Sequence, residues 1–482
     1  MKNNYVLKGK ELCWDKYLWD KSEGVRLRIH NPKEKNVVLE QEDKDNTLAH
    51  FNQIIKVNDK YRMYYSSHNR SSDGGALGGI FYIVESDDGI NFTKPNLGKF
   101  EFKGSKDNNI YFTEDRFVDN FTVHYDENPS CPKDEKYKAL SLFVSNNFYT
   151  TELGLYVSPD GINFTFKKIL PIKGVFDSMN IIFWDKKDEV YKLYIRDFHG
   201  QNGEDVTYEP TEAMEKAIRD VRLVTSKDLE TFSKPEKIKF QEGSEDIELY
   251  VSQVMKYPGT DLYFGLPTRY KNRVADIKNF DYLPKWENRQ KFLDEGNRQG
   301  TALTDCVAMT SRDGFHFDRF DSEAFVKPGL EDTENWGYGD GYISHGFALT
   351  EIEGNPDKKE MSFFMTKGRN YRKRYIVRIT TRLDGIFSWR GDYEGGTLLT
   401  KPLILDGDCM NINFSTSSMG SINIKICDTD GNEIEGYDSK TIFGDSLSRP
   451  VDFEKPLSAL KGKGVKIKFF LRDCDLYSFE LK

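Results

Sequence analysis

The chain has 482 residues, 69 Lys and Arg against 78 Asp and Glu, a formal charge of −9 and 14% aromatic residues. That length favours two domains over one, the aromatic content favours strands, and the absence of a basic tract excludes ordinary nucleic-acid binding, which needs clustered Lys and Arg. No apolar run reaches the roughly 18 residues of a membrane helix, and the first twenty residues lack a secretory apolar core, so no membrane partner and a cytoplasmic location are expected.

In chain order, strand patterns recur in five groups. Residues 49–57, 60–67 and 80–86 lead into the turn Ser86-Asp87-Asp88-Gly89. Residues 120–126, 136–144 and 153–158 lead into Ser158-Pro159-Asp160-Gly161, and 178–185, 190–198 and 221–226 into Ser226-Lys227-Asp228-Leu229. The fourth group, 249–257, 261–270 and 306–311, precedes Ser311-Arg312-Asp313-Gly314; the fifth, 341–349, 361–368 and 375–381, precedes Arg382-Leu383-Asp384-Gly385. From Asp88 to Asp384 the turn aspartates are 72, 68, 85 and 71 residues apart. Asp-Gly supplies the positive φ of a tight connection. An aromatic four residues on (Phe92, Phe164, Phe232, Phe317) is expected to pack between repeats, and runs such as 236–240 and 323–328 to serve as outer strands. Helical patterns are confined to 211–221 and 271–297, which read as insertions.

A seventy-residue period of four antiparallel strands describes a five-bladed β-propeller over 1–394. From 395 to 482 the alternation changes, and strands such as MNINFSTS and VKIKFFLRD predict a C-terminal β-sandwich. The expected fold class is all-β. Six scattered cysteines without C-x-x-C spacing read as reduced thiols rather than a disulfide framework or zinc site.

In a propeller the first strand of each blade lines the axis, and its start faces one mouth. Acidic residues stand there in four repeats: Asp119, Asp177, Glu248 and Asp340, with the less well placed Asp43 and Asp45 in the first. Carboxyl groups converging on one cavity suit acid/base work on a polyol, because like charges push some pKa values up. Each alone is equally well a turn former bonding its own backbone. Arg196-Asp197 ends an inner strand and is expected to set a guanidinium beside a carboxylate that grips hydroxyls or steadies positive charge; a structural ion pair is the competing reading. Asp305 and Arg269 are placed to reach the same mouth. Trp336, Tyr338 and Tyr342 flank Asp340, and Tyr250 follows Glu248, so these rings are candidates for stacking on sugar. His50, His199 and His345 read as core or loop histidines before axial ligands.

On these residues the chain resembles the five-bladed propeller glycosidases of glycoside hydrolase families 32, 43 and 68 and the mannoside phosphorylases of family 130. The segments ALTDCVAMTSRDG, YGDGY, GSINIKICDTDG and DLYSFELK resemble uncharacterised bacterial proteins predicted to be glycoside hydrolases. Arg196-Asp197 followed about fifty residues on by Glu248 is similar to the family 32 order, although Phe198 replaces its proline and Leu249 its cysteine, and no first-blade nucleophile is recognisable. The resemblance implies an exo-acting glycoside hydrolase acting on an oligosaccharide or glycoside. Glu248 would be the acid, Asp177 or Asp119 the base or nucleophile, and Asp197 with Arg196 the stabiliser. Asp340 and Asp305 would position the sugar or tune the acid. No organic cofactor is implied; an axial calcium is compatible with the pattern, which does not demand it. The alternatives are a phosphorylase, with Arg196, Arg269 and Lys367 around phosphate, and a non-catalytic sugar-binding propeller.

Overall fold

The computed structural model describes residues 5–41, 46–49, 51–70, 76–114, 118–144, 151–206, 217–273, 280–294, 301–320, 323–330, 335–368 and 374–482. Among these, the only α-helix is Trp286–Asp294, and the architecture is all-β. Asp43, Asp45 and His50 lie outside the described residues. So does 207–216, which holds most of the helical pattern at 211–221; from Ile218 to Ser226 the chain is strand. Val221 and Leu223 pack into one core cluster and Val224 into another, the two-faced alternation of a strand rather than the periodicity of a helix.

Five antiparallel units follow one another along the chain. The first contains Gln53–Val57, Lys60–Arg70, Ala76–Ser86 and Ile110–Phe112. The second contains Val118–Tyr125, Tyr137–Val144, Thr151–Ser158 and Thr165–Ile169; the third Ile181–Asp185, Val190–His199, Ile218–Ser226 and Glu236–Lys237. The fourth is divided in two, with Glu248–Val251, Thr268–Lys271 and Leu303–Cys306 in one sheet and Val254–Lys256, Tyr263–Gly265, Ala308–Ser311 and His316–Phe320 in another. Pro267 sits at the break, because it has no N–H for the ladder. Its carbonyl accepts instead from the Val307 amide, 3.1 Å away.

The fifth unit differs from expectation. Ala348–Ile352, Asn355–Lys367 and Tyr375–Arg382 pair in order, but their fourth strand is Lys33–Glu40 from the other end of the sequence. This closes the ring, and His345 completes it by accepting from the Ile54 amide (2.8 Å) and donating to the Asn52 carbonyl (2.9 Å). Covering an edge in this way removes a row of unpaired backbone groups. The predicted outer strand at 323–328 makes only a single bridge, Val326 to Cys306, and His316–Phe320 takes its place.

The division at residue 394 also needs correction. Tyr5–Leu7, Gly9–Leu12, Trp19–Glu23 and Val25–Ile29 pair with Leu403–Leu405, Gly464–Leu481, Gly396–Thr400 and Phe387–Gly391. The N-terminal strands therefore belong to the C-terminal sheet assembly, whose core runs from Leu7 and Trp19 to Phe469 and Phe479. The six cysteines are all free thiols.

Two repeated devices hold the units in register. In four turns the aspartate accepts backbone N–H bonds from the residues two and three positions on; Asp160 takes Ile162 and Asn163 at 2.8 Å each, and Ser158 Oγ accepts from Gly161. Gly161 (φ +73°) and Gly314 (φ +77°) lie so close to Tyr64 and Tyr194 that a Cβ would sit 2.6 Å from each hydroxyl. Those hydroxyls, each on the preceding unit, donate to the two glycine carbonyls. The following aromatics pack as the spacing predicts: Phe92 meets Phe364 at 5.5 Å and Phe164 meets Tyr111 at 5.9 Å between centroids. Such edge contacts contribute about 0.5–1.5 kcal/mol beyond area burial.

The second device was not visible in the sequence. One small polar residue stands at the same point of all five inner strands: Asn52, Thr122, Asn180, Ser252 and Ser344, all buried. Asn180 Oδ1 accepts from the Arg196 amide and Ser344 Oγ from the Phe364 amide, while Thr122 donates to the Leu140 carbonyl. Three of these side chains thus tie inner strand to second strand where the backbone ladder loosens near the axis.

Candidate active site

The starts of the five inner strands meet at one end of the ring. Phe51 of the first unit touches Tyr342 of the fifth (5.8 Å between centroids), and Tyr342 touches Tyr250 of the fourth (5.9 Å). The Tyr250 ring lies 5.6 Å from the Arg196 guanidinium of the third unit. Asp177, whose charge acts on Arg196, accepts a long bond from Asn120 of the second unit at 3.4 Å. All five units therefore contribute to one site, and Phe51 joins it without having been singled out in the sequence.

The predicted acids fall into three environments. Asp119 and Asp177 are half-buried beside Asn120, which adopts a left-handed φ of +52° at a register shift in its strand; Asp119 Oδ1 accepts from the Asn120 amide at 2.7 Å. A non-glycine residue in that region costs about 1–3 kcal/mol, and such costs gather at functional sites. Glu248, also half-buried, ion-pairs with Arg219. Sequence reasoning missed Arg219, since nothing in the strand Ile218–Ser226 marks it. Its guanidinium lies over three rings, 5.5 Å from Phe198, 5.4 Å from Tyr250 and 4.7 Å from Tyr270.

Asp340 is the third environment. Its loop is pinned from two sides. Thr304 Oγ1 donates to the Asp340 carbonyl (2.8 Å) and accepts from the Gly339 amide (2.9 Å), while Gly341, at φ +70°, lies so close that a Cβ would meet the Asp305 backbone at 2.6 Å. From the inserted helix Trp286–Asp294, Arg289 donates to the carbonyls of Trp336 and Asn335. Trp336 itself has a left-handed φ of +58° and turns its indole N–H to the Gly329 carbonyl. Burial pushes the Asp340 carboxyl up to about 7, prevailing over the Gly337 amide (2.9 Å) and the positive charges of Lys367 and Arg289, which pull it down. Tyr338 and Tyr342 pack 6.2 Å apart beside this loop, and each meets Tyr250.

Two expectations are corrected by these contacts. Arg196 and Asp197 do not sit side by side, because successive residues of a strand point to opposite faces. Arg196 faces Phe198, Tyr250 and the Val175 carbonyl; Asp197 is fully buried on the other face, 3.2 Å from Arg222 and opposite Asp220. Asp305 and Arg269 are cross-strand neighbours joined by a two-pronged ion pair (2.9 and 2.5 Å), so their charged groups hold each other. His199 also belongs to the buried network behind the site, bonded to Asp220 (3.0 Å) and Asp246 (2.7 Å). His345 lies deeper on the axis, its ring 5.5 Å from that of His124; burial lowers both pKa values, which keeps the pair uncharged at neutral pH.

No family model matches the sequence, and no curated protein matches it. Solved structures resemble it in chain path. An N-acetylgalactosamine deacetylase from F. plautii is 12% identical, with 75% of this chain and 97% of that one covered at a TM-score of 0.44. A glycoside hydrolase family 43 arabinoxylan arabinofuranohydrolase from Bacillus subtilis is 14% identical (91% and 96% covered, TM-score 0.38). A family 32 β-fructofuranosidase from Bombyx mori is 10% identical (93% and 94% covered, TM-score 0.38). At such identities and scores the likeness bears on neither substrate nor reaction.

Proposed function

We propose that the chain is a glycoside hydrolase, exo-acting, built as a five-bladed β-propeller with a β-sandwich that the N-terminal strands complete, and that glycosidic bonds are cleaved at the mouth where the five units meet. The observation that carries this reading is the contrast between two carboxyl groups there. Asp340 makes no ion pair among the described residues and its carboxyl is pushed up to about 7 by partial burial, whereas Glu248 is ion-paired with Arg219. Glycoside cleavage needs this division: one carboxylic acid to protonate the departing oxygen and one carboxylate to act as base or nucleophile.

These surroundings support exchanging two of the expected roles. Asp340 becomes the general acid, and Glu248 or Asp177 the carboxylate on the other side of the sugar. Tyr250, Tyr338 and Tyr342 are buried in the core beneath this mouth and brace it, which leaves the half-buried Phe51 and Trp336 as the rings that can meet a pyranose or furanose. Asp305 acts through its backbone, as the platform under Gly341, and Asp197 supports the third unit from behind.

Turnover of a panel of aryl glycosides and oligosaccharides by wild type, Asp340→Asn and Glu248→Gln tests the proposal. Loss of turnover with retained sugar affinity in both variants supports an enzyme with this pair. Sugar binding without turnover in wild type would leave a binding propeller, and unchanged turnover in Asp340→Asn would remove the acid assignment.

A further inference from the structure

We infer that Arg196 is a binding residue for an oxyanion, either a carboxylate carried by an acidic sugar or free inorganic phosphate. This rests on reading the mouth as a sugar site. Arg196 is 5% exposed, its Nη1 donates to the Val175 carbonyl at 3.1 Å, and its Nε has no partner among the described residues. No carboxylate of the described residues comes within the 4 Å of an ion pair with it, and Asp177 acts on it only from further away.

Two other buried arginines are paired with carboxylates, Arg222 with Asp197, Asp205 and Asp220 and Arg378 with Glu360, whereas an Nε without a hydrogen-bond partner also occurs at Arg219 and Arg289. An unpaired buried cation is costly, so a fold that keeps one at a ligand site has a use for its charge. Arg196 also shares its surroundings with a second guanidinium. Its own lies 4.3 Å from the Phe198 ring and 5.6 Å from Tyr250, and that of Arg219 lies 5.5 and 5.4 Å from the same two rings. Glu248 neutralises Arg219. The Arg196 guanidinium is left without an ion-pair partner within 4 Å, wedged between aromatic faces at the mouth with the Asp177 charge further off, and with a donor that nothing else in the described residues engages. Burial lowers the Arg196 pKa, as expected of a cation with too little compensation. A planar guanidinium matches a carboxylate or phosphate edge with paired, charge-assisted bonds. The other two cations of the phosphate set, Arg269 and Lys367, are engaged elsewhere, Arg269 by Asp305 and Lys367 by Glu34 at 2.8 Å.

Calorimetric titration of the full chain with glucuronate, galacturonate and inorganic phosphate, against glucose and galactose, tests this. The expected result is that at least one anion binds about tenfold or more tighter than its neutral counterpart, that Arg196→Gln abolishes the preference, and that Arg196→Lys restores part of it. Binding of a uronate without phosphate assigns the charge to the substrate; binding of phosphate with phosphate-dependent turnover assigns it to a co-substrate. If Arg196→Gln does not fold, a selenate soak of wild-type crystals decides, with an anomalous peak expected within hydrogen-bond reach of the guanidinium. No anion preference in wild type, or one unchanged in Arg196→Gln, overturns the inference. Neutral glycosides cleaved without anion binding would sink it and spare the hydrolase reading, whereas anion binding at Arg196 without any glycoside turnover would do the reverse.

Discussion

The outer turns and the inner mouth use the same residue type to opposite ends. At Asp88, Asp160 and Asp313 the carboxyl is drawn down to about 2; local burial opposes this, but backbone N–H groups and neighbouring side chains bonded to the carboxylate prevail. At Asp340, burial prevails and the carboxyl rises to about 7. The turns are near copies of one another, whereas the mouth takes a different residue from each unit. Repetition therefore builds the scaffold, and departure from it builds the site.

The largest expected effect lies at the mouth. Asp340→Asn should lower kcat by about 10²–10⁴, the usual contribution of a general acid, and an aryl glycoside with an activated leaving group should lose less than a poor one. The fifth turn breaks the pattern of the other four and should be next. Asp384 is 1% exposed, bonded to Lys10 (2.9 Å), Ser478 (2.7 Å) and Tyr257, and joins the fifth unit to the C-terminal sheet. Asp384→Ala leaves Lys10 without its partner and should cost about 3–5 kcal/mol in denaturant unfolding, where Asp160→Ala, losing two backbone bonds in a surface turn, should cost about 1 kcal/mol and leave turnover unchanged. Between these stands Gly341→Ala, which meets the Asp305 backbone in a left-handed conformation. It should cost about 1–3 kcal/mol and reduce kcat up to about a hundredfold by displacing Asp340.

The smallest effects are in the pH dependence of stability, and they have opposite signs in the two regions. The Asp340 pKa is raised on folding, so its contribution is present below about 4 and is lost as pH rises towards about 7. The turn aspartates are lowered, so theirs is present above about 4 and is lost as pH falls towards about 2. Unfolding of Asp340→Asn and Asp160→Asn against pH should change slope in these separate windows.

Much of the scaffold was legible. The period of the aspartate turns located the inner strands and hence Asp119, Asp177, Glu248 and Asp340. What escaped depended on tertiary contact. Lys33–Glu40 pairs with Tyr375–Arg382 across more than three hundred residues, which no local pattern announces. Arg196 and Asp197 are adjacent in sequence but face opposite sides of their strand, a separation that adjacency hides. Arg219 carries no motif, and the raised pKa of Asp340 comes from burial in the folded loop, which its neighbours in the chain do not announce.

The most direct test is the pH profile of kcat/KM on a cleaved glycoside, wild type against Asp340→Asn. If Asp340 donates its proton, wild-type activity falls as pH rises through about 7, and that limb disappears in the variant together with most of the rate. A basic limb that persists in an Asp340→Asn enzyme of undiminished activity would contradict the account.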